Sequence, residues 1–344
     1  MCVKDTGTKY QLWISDFNID GTFTRIHPFI ISHTKTMTRT REDGKEEVFS
    51  ACIKPDDTRY LGGNKSSSIN AIKLQGRPRT GISYDKANEF CANRGDWVTM
   101  IDYLEYCAIQ ALCYIEYANF DNQATLNVNL TSEGFKQGGL GAGVTNLAWD
   151  RWTAFNGNNP IVQTYWTAEH NIGNGSTNGD HYELGNYNID GSNLSTYPAV
   201  YRGILNFFGD IWTFIRDVVI NKDTNYNSVY LLKKGVNHAD VTVDNINEKC
   251  YLIGDQANSS SFITEFDFRF GPYFIPNKVG TNKKADYNWI RGNNGQDTDK
   301  AVRVLLLGGG ANSGSGAGSG YFRSNWVRSD SSVGVGFFTT VKLD

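Results

Sequence analysis

The sequence predicts an α+β fold, and three observations support it. Two neighbouring segments with helical periodicity lie between residues 84 and 118, and several segments with strand patterns follow later in the chain. Residues 119–195 are rich in Asn, Gly, Thr and Trp and show little periodicity, which indicates long ordered loops because Trp side chains favour burial. Few helices, many strands and long loops are typical of the α+β class.

The composition describes a folded protein without a basic surface. The chain has 344 residues, of which 40% are hydrophobic, and its net charge is −3. Because it contains no basic run, nucleic acid and anionic membranes are unfavourable partners. No apolar stretch approaches the roughly 20 residues of a membrane span, and residues 1–7 do not resemble a signal peptide. We therefore expect that the chain does not insert into a membrane and that it folds in a cytoplasm.

Residues 1–75 are predicted as a β segment that leads into a main domain over residues 76–344. Tyr10–Ile14 and Val48–Ile53 have the composition of strands. An Asp43-Gly44 pair before the second strand favours a hairpin turn.

Two helices are predicted at the start of the main domain. Ser83 is a suitable N-cap for a helix over residues 84–93, with Gly95 as its stop signal. Thr99–Asp102 has the shape of a capping box, which predicts a second helix over about 100–118 with one apolar face against a sheet.

Strands are predicted in the second half of the chain. Tyr201–Ile215 is a dense apolar block that predicts the core of a sheet. Three Phe residues alternate with charged residues from Phe266 to Phe270, which predicts a strand with one dry face. Val302–Leu307 predicts a further strand.

The cysteine and histidine patterns indicate no catalytic or zinc site. The six Cys residues have irregular spacings and no CxxC pair, so we expect free, buried thiols. Two oxygen-rich loops are candidates for binding a structural Ca²⁺, and no other cofactor or metal is expected. The loops are Asp190–Asn193 and Asn293–Asp297. The remaining candidate ligands are Glu169 with His170, and Asp180 and Glu183 with His181.

Residues 308–336 have the composition of a displayed binding loop. Gly and Ser dominate, and Tyr321, Arg323, Trp326 and Arg328 supply the aromatic and Arg side chains that form energetic hot spots when exposed. A β-rich segment, residues 334–343, follows.

A flexible linker is the alternative interpretation of this region, because Ser313–Gly320 alone resembles a spacer. A linker joins two modules, however, and only the single β-rich segment follows.

Several motifs follow one another in an order that resembles a known fold. They are Ser83–Cys91, Arg94–Trp97, the second helix, Tyr201–Gly203, Phe208–Trp212, Leu307–Gly309 and Gly334–Phe337. In this order the chain is similar to C-type-lectin folds of the formylglycine-generating-enzyme type. Within them it most resembles the variable proteins of diversity-generating retroelements, especially receptor-binding proteins of gut bacteriophages. The resemblance covers about residues 27–343.

The resemblance implies two helices flanking a mainly antiparallel sheet and a C-terminal variable region at about residues 303–338. Such regions are rewritten by a reverse transcriptase that mutates template adenines. The predicted ligand-binding residues are Gly310, Asn312, Ser313, Ser315, Tyr321, Arg323, Asn325, Trp326, Arg328, Asp330, Ser332, Val333 and Val335. The predicted fixed scaffold residues are Gly308, Gly309, Gly318, Gly334, Gly336, Phe322 and Phe337.

The resemblance also implies a partner and a location. The partner would be a host cell-surface protein or glycan, and the location a virion, in the phage tail. A bacterial surface adhesin or a lectin-like binder of fixed specificity is the alternative. A homo-oligomer such as a trimer, or contact with other tail proteins, stays open.

Two related activities are disfavoured by missing residues. Formylglycine-generating enzymes use cysteines late in the fold, and the last Cys here is Cys250, so we expect no enzyme. Calcium-dependent sugar lectins use Glu-Pro-Asn or Gln-Pro-Asp with Trp-Asn-Asp, and none of these triplets occurs. A carbohydrate could still stack on Tyr321 or Trp326 without a metal.

Overall fold

The structure is a computed structural model, and the part of the chain that it describes is mostly β, with three α-helices and one curled sheet of nine strands. The β content is thus higher than the α+β expectation. The described residues are 1–5, 10–15, 24–32, 35–40, 43–49, 80–122, 186–189, 192–195, 200–205, 207–209, 211–222, 227–282, 285–290, 302–310, 313, 316–332 and 334–343.

The N-terminal region forms short strands, as predicted. β1 (Cys2–Asp5) pairs with β2 (Tyr10–Trp13), and β3 (Phe29–Ile31) follows. β4 (Met37–Thr40) and β5 (Glu46–Phe49) form an antiparallel hairpin. The hairpin prediction is confirmed, and the strand predicted over 48–53 begins two residues earlier; residues 50–53 lie outside the described part.

The first predicted helix is confirmed almost to the residue. After β6 (Ile82–Ser83), α1 spans Tyr84–Ala92, and the Ser83 hydroxyl accepts a hydrogen bond from the backbone N–H of Lys86 at 3.2 Å. This bond satisfies one of the free N–H groups of the first turn.

The second helix begins three residues later than predicted. Thr99 is not its cap, because it lies within β7 (Val98–Met100). α2 spans Tyr103–Tyr117, and Asp102 and Glu105 form the capping box that was assigned too early. A carboxylate at Asp102 caps the helix as well as a hydroxyl would.

The nine-stranded sheet places the C-terminal segment near its centre. In spatial order it contains β14 (Cys250–Gln256), β13 (Asn227–Leu232), β12 (Trp212–Lys222), β18 (Arg303–Gly308), β19 (Gly318–Trp326), β17 (Tyr287–Trp289), β15 (Ser261–Asp267) and β16 (Ile275–Gly280). β21 (Val335–Gly336) is the ninth strand and pairs in parallel with β12. β17 and β19 also pair in parallel, and the other pairs are antiparallel.

The remaining elements are short. The prediction of a sheet core in Tyr201–Ile215 is confirmed for β12, which also contains residues 216–222. In the segment 119–195, β8 (Asn186–Ile189) and β9 (Ser192–Ser195) form a hairpin, and most of the rest lies outside the described residues. The short elements are β8 (Asn186–Ile189), β9 (Ser192–Ser195), β10 (Val200–Tyr201), β11 (Ile204–Leu205), α3 (Ile246–Lys249), β20 (Ser331–Ser332) and β22 (Thr339–Lys342).

The alternation predicted from Phe266 to Phe270 is only partly correct. β15 ends at Asp267, and Phe266 is buried, whereas Phe270 is 52% exposed. The backbone N–H and the side-chain Nε of Arg269 both donate to the Asp267 carboxylate. The chain turns at this point, and the strand does not continue. The prediction at Val302–Leu307 is confirmed by β18.

The end of the chain returns to its beginning. β22 lies between β3 and β7 and is antiparallel to both, and β20 pairs with β6. The Lys342 ammonium group donates to the Asp102 carboxylate at 2.9 Å, and the Thr340 hydroxyl donates to Glu105 at the same distance. These contacts hold the backbone that flanks the predicted variable region.

Side chains on opposite sides of β18 enter different hydrophobic clusters. Leu305 and Leu307 pack in one cluster with residues of α2, whereas Val304 and Leu306 pack in another with residues of α1. All four side chains are at most 2% exposed. The expected free, buried thiols are confirmed for Cys91, Cys107, Cys113 and Cys250. Among the described residues, no helix has the length and apolar content needed to cross a membrane.

Candidate functional site

The middle of the predicted binding loop is a strand. Residues 318–326 form β19, which is hydrogen-bonded to β18 on one side and to β17 on the other. The prediction of a displayed loop over the whole of 308–336 is therefore wrong for these nine residues. A Gly- and Ser-rich sequence can be a central strand when its neighbours leave no space for larger side chains.

The glycines of β19 make space for a buried carboxylate. Asp286 is fully buried, and one of its oxygens accepts the backbone N–H of Gly320 at 2.8 Å. A Cβ atom added at Gly318 would lie 2.0 Å from the other oxygen. Ser319 between them donates its N–H to the Asn122 side chain at 2.8 Å. The flexible-linker interpretation is therefore wrong for this part of the segment.

Aromatic rings from three strands line a depression beside β19, which we call the aromatic depression. Its volume is about 480 Å³. The ring centroids of Trp212 and Tyr321 are 4.5 Å apart, and those of Tyr287 and Tyr321 are 5.5 Å apart, both in edge-to-face geometry. The lining residues are Trp212, Tyr287, Trp289, Ser313, Gly316, Tyr321 and Arg323.

Arg323 is the charged group of the aromatic depression. Its guanidinium carbon lies 5.2 Å from the ring centroids of both Trp212 and Trp326. Its Nε donates to Asn325 Oδ1 at 2.7 Å, and no carboxylate of the described residues forms an ion pair with it. Burial lowers the pKa of Arg323, although the group stays protonated at any physiological pH.

A second depression lies beside α1, with a volume of about 540 Å³, and we call it the polar depression. Asp85 on its rim holds the Arg328 guanidinium at 3.0 Å. Arg216 contacts the Asp102 carboxylate at 3.4 Å. Most of the charge in this depression is therefore paired. The lining includes Tyr84, Asp85, Asn88, Arg216, His238 and Arg328.

His238 lines the polar depression as a neutral ring. It is 4% exposed, and its ring centroid lies 5.1 Å from that of Tyr84. Burial lowers the pKa of His238 against the opposing effect of the nearby Arg303 carbonyl, and neither ring nitrogen reaches hydrogen-bond geometry. Packing against Tyr84 accounts for its position.

The predicted ligand-binding residues divide into three groups. Those that are partly exposed are Ser313, Arg323, Asn325, Trp326, Arg328, Asp330 and Ser332. Those that are buried are Gly310, Tyr321 and Val335. Asn312, Ser315 and Val333 lie outside the described residues. The seven predicted scaffold residues are all buried, as a fixed framework requires.

The prediction of an exposed binding side chain is wrong at two of the buried residues. Val335 is 1% exposed and packs in the same cluster as Trp212 and Phe337, because β21 pairs directly with β12. Its side chain is therefore not displayed. Tyr321 is 7% exposed, so it forms a wall of the aromatic depression and is not an exposed anchor.

Sequence reasoning missed three of the aromatic residues. Trp212 was assigned only to the sheet core. Tyr287 and Trp289 lie on β17, where the intervening Asn288 is fully buried and Trp289 is 40% exposed. Two aromatic residues at alternate positions were a strand signal that could have identified them.

The described residues contain no group of three or more His, Cys, Asp and Glu side chains able to hold a metal ion. The candidate ligands at His170 and His181, and the oxygen-rich loop at 293–297, lie outside the described part. Of the loop at 190–193, only the backbone of Ser192 and Asn193 is described. Binding of a structural Ca²⁺ by these loops therefore stays a prediction.

Comparisons with known proteins identify no family for the chain. No protein-family model matches it, and a search of curated proteins finds no significant match. The functional argument consequently depends on the geometry of the two depressions.

Proposed function

We propose that this chain is a receptor-binding protein that uses the outward side of its C-terminal segment to bind a molecule on a host cell surface. The aromatic depression is the observation that carries this proposal. Rings from β12, β17 and β19 line this depression together with Arg323, whose guanidinium lies 5.2 Å from the ring centroid of Trp212. Concave sites that combine aromatic surface with a few placed polar groups are typical of ligand binding.

The proposed fold is C-type-lectin-like, an α+β arrangement in which α1 and α2 flank a mainly antiparallel sheet. The separate clusters on the two sides of β18 support it. The pairing of β22 with β3 and β7 supports it as well, because it joins the two ends of the domain.

The alternation along β19 supports a surface whose side chains can change without unfolding the protein. Phe322 and Ser324 are fully buried, whereas Arg323 and Asn325 between and beyond them are partly exposed. Substitution at an exposed position of a rigid strand costs little stability. We therefore propose that the partly exposed positions in 303–338 are the diversified ones.

The proposed partner is a host surface protein or glycan, and the proposed location is a phage tail. The protein would hold its ligand without a catalytic step. Several copies on one particle, as in a trimer or alongside other tail proteins, would raise avidity through effective concentration. A bacterial surface adhesin of fixed specificity would use the same depression and differ in having an invariant C-terminal segment.

The test is the binding of a fluorescent fusion of the full chain to a panel of bacterial cells. The informative variants are Trp289→Ala and Arg323→Ala, which alter the aromatic depression. Trp97→Ala is the matched control, because Trp97 is 55% exposed and does not line that depression. Loss of one hot-spot side chain costs about 2 kcal/mol, which is roughly 30-fold in affinity.

We expect at least tenfold weaker cell binding for the two depression variants and unchanged binding for Trp97→Ala. Equal binding by all four proteins would contradict the proposal, since the surface in use would then lie elsewhere.

A further inference from the structure

Among the described residues, Arg323 forms no ion pair with a carboxylate, in contrast to three other arginines, and the charge of Asp330 acts on it without direct contact. Arg216 contacts Asp102, Arg202 contacts Glu116, and Arg269 contacts two carboxylates. Arg323 makes one hydrogen bond to a neutral amide and lies between two indole rings. Removing a cation from water is costly, and an anionic ligand that restores the lost interactions would recover that cost.

The space in front of Arg323 is bordered by aromatic surface. Trp289 is 40% exposed and Tyr287 is partly exposed, so both offer ring surface to a ligand. Trp212 and Tyr321 are nearly buried and form the wall behind them. The volume of about 480 Å³ lies within the range of small-ligand sites.

The strands at this site do not favour an extended peptide as the ligand. Peptides often bind by adding a strand to a free sheet edge. β17 is already paired with β15 on one side and with β19 on the other, and β19 is paired with β18. Recognition therefore depends on side chains: flat ring surface and one guanidinium fork.

We infer that the aromatic depression binds an acidic sugar, whose ring stacks on Trp289 and Tyr287 and whose carboxylate pairs with Arg323. A planar guanidinium can bind a carboxylate through two parallel hydrogen bonds. Uronic acids and sialic acids both supply this chemistry. The inference rests on the proposed function and names its ligand class.

The test is calorimetric titration of the full chain with four probes. They are trigalacturonic acid, its methyl ester, sialyllactose and sodium acetate. We expect one or both of the acidic sugars to bind, the ester at least tenfold more weakly than the free acid, and acetate without measurable affinity. Preference for trigalacturonic acid would identify a uronic acid as the source, and preference for sialyllactose a sialic acid.

Three variants separate the charge from the stacking. Arg323→Gln is expected to reduce the ratio of acid to ester affinity to about one, and Arg323→Lys to retain part of it. Trp289→Ala should weaken acid and ester by the same factor. Arg202→Ala is the control for loss of a positive charge elsewhere, and the ratio should be unchanged. Thermal unfolding of each variant verifies that it is folded.

Equal affinity for acid and ester, an unchanged ratio in Arg323→Gln, or no binding of either acidic sugar at millimolar concentration would each overturn the inference. If cell binding remains sensitive to Trp289→Ala while the acidic sugars fail, the ligand class is wrong and the proposed function stands. If cell binding is also unchanged in Trp289→Ala, the proposed function fails together with the inferred ligand class.

Discussion

The two depressions beside the C-terminal segment differ in whether their arginines form ion pairs with carboxylates. Arg328, at the polar depression, lies 3.0 Å from Asp85. Among the described residues, Arg323, at the aromatic depression, contacts an amide and two indole rings and forms no ion pair with a carboxylate. A paired charge contributes to the folded state, whereas an unpaired, desolvated one is available to a ligand. Charge pairing therefore distinguishes the two sites better than their similar volumes do.

The largest expected effect tests which side chains of the segment face inward. Val335→Asp places a carboxylate at a position that is 1% exposed, so we expect destabilisation of about 4 kcal/mol or more, measured by urea unfolding. Ser332→Asp, at a partly exposed position nearby, should change stability by less than about 1 kcal/mol. If Val335→Asp leaves the free energy of unfolding unchanged, the Val335 side chain is exposed and belongs to the binding surface.

The next effect concerns Gly318, a glycine of β19 that lies against the buried Asp286 carboxylate. Gly318→Ala would force a methyl group to within 2.3 Å of three atoms of the Asp286 carboxylate, so we expect a loss of about 3 kcal/mol. Gly280→Ala is the control, because the nearest atom to its added Cβ is a side-chain methyl of Thr264 at 3.3 Å. Equal thermal stability of the two variants would show that β19 does not approach Asp286 as described.

The charges behind the polar depression predict a pH dependence of stability. Burial, together with the nearby Asp102 charge, raises the pKa of Asp217 to about 7 from an ordinary 3.8. The folded state then binds the proton more tightly than the unfolded state. This contribution to stability is complete below about pH 4 and is lost as the pH rises to 7.

Asp217→Asn tests this dependence, because the amide oxygen can still accept the hydrogen bond from the N–H of Tyr103. We expect the variant to have a Tm several degrees above wild type at pH 7 and a similar Tm at pH 4. An identical fall in Tm between pH 4 and 7 in both proteins would assign the dependence to other groups.

The smallest effect is that of the Arg328–Asp85 pair. Both side chains are more than 40% exposed, so a double-mutant cycle with Ala should give a coupling of about 0.2–1 kcal/mol that weakens in high salt. A coupling well above this range would mean that the polar depression is more desolvated than its geometry indicates, and the contrast with Arg323 would weaken.

Local signals made the helices predictable. Ser83 capped α1 where expected, because an N-cap bond depends only on residues within one turn. The start of α2 was misplaced because two overlapping four-residue patterns fitted a capping box. The pairing of residues 98–100 with β22, more than 200 residues away, decided between them.

The C-terminal segment was harder to predict because distant residues determine it. Glycine composition alone does not distinguish a loop from a strand, and Asp286 and Asn122 make residues 318–320 a strand. Tyr321 and Val335 have the residue types of a binding surface, but pairing with β18 and β12 buries them. Residue types in this segment therefore did not determine the direction of each side chain.

A diversified binding surface is tested most directly by deep sequencing of the 3′ end of the gene in a population that carries it. We expect substitutions concentrated at partly exposed positions such as Arg323, Asn325, Trp326 and Arg328, at sites that match adenines of a nearby template repeat. Gly318 and Val335 should not vary. Substitutions spread evenly along the gene, or an invariant segment, would contradict a diversified binding surface and favour a binder of fixed specificity.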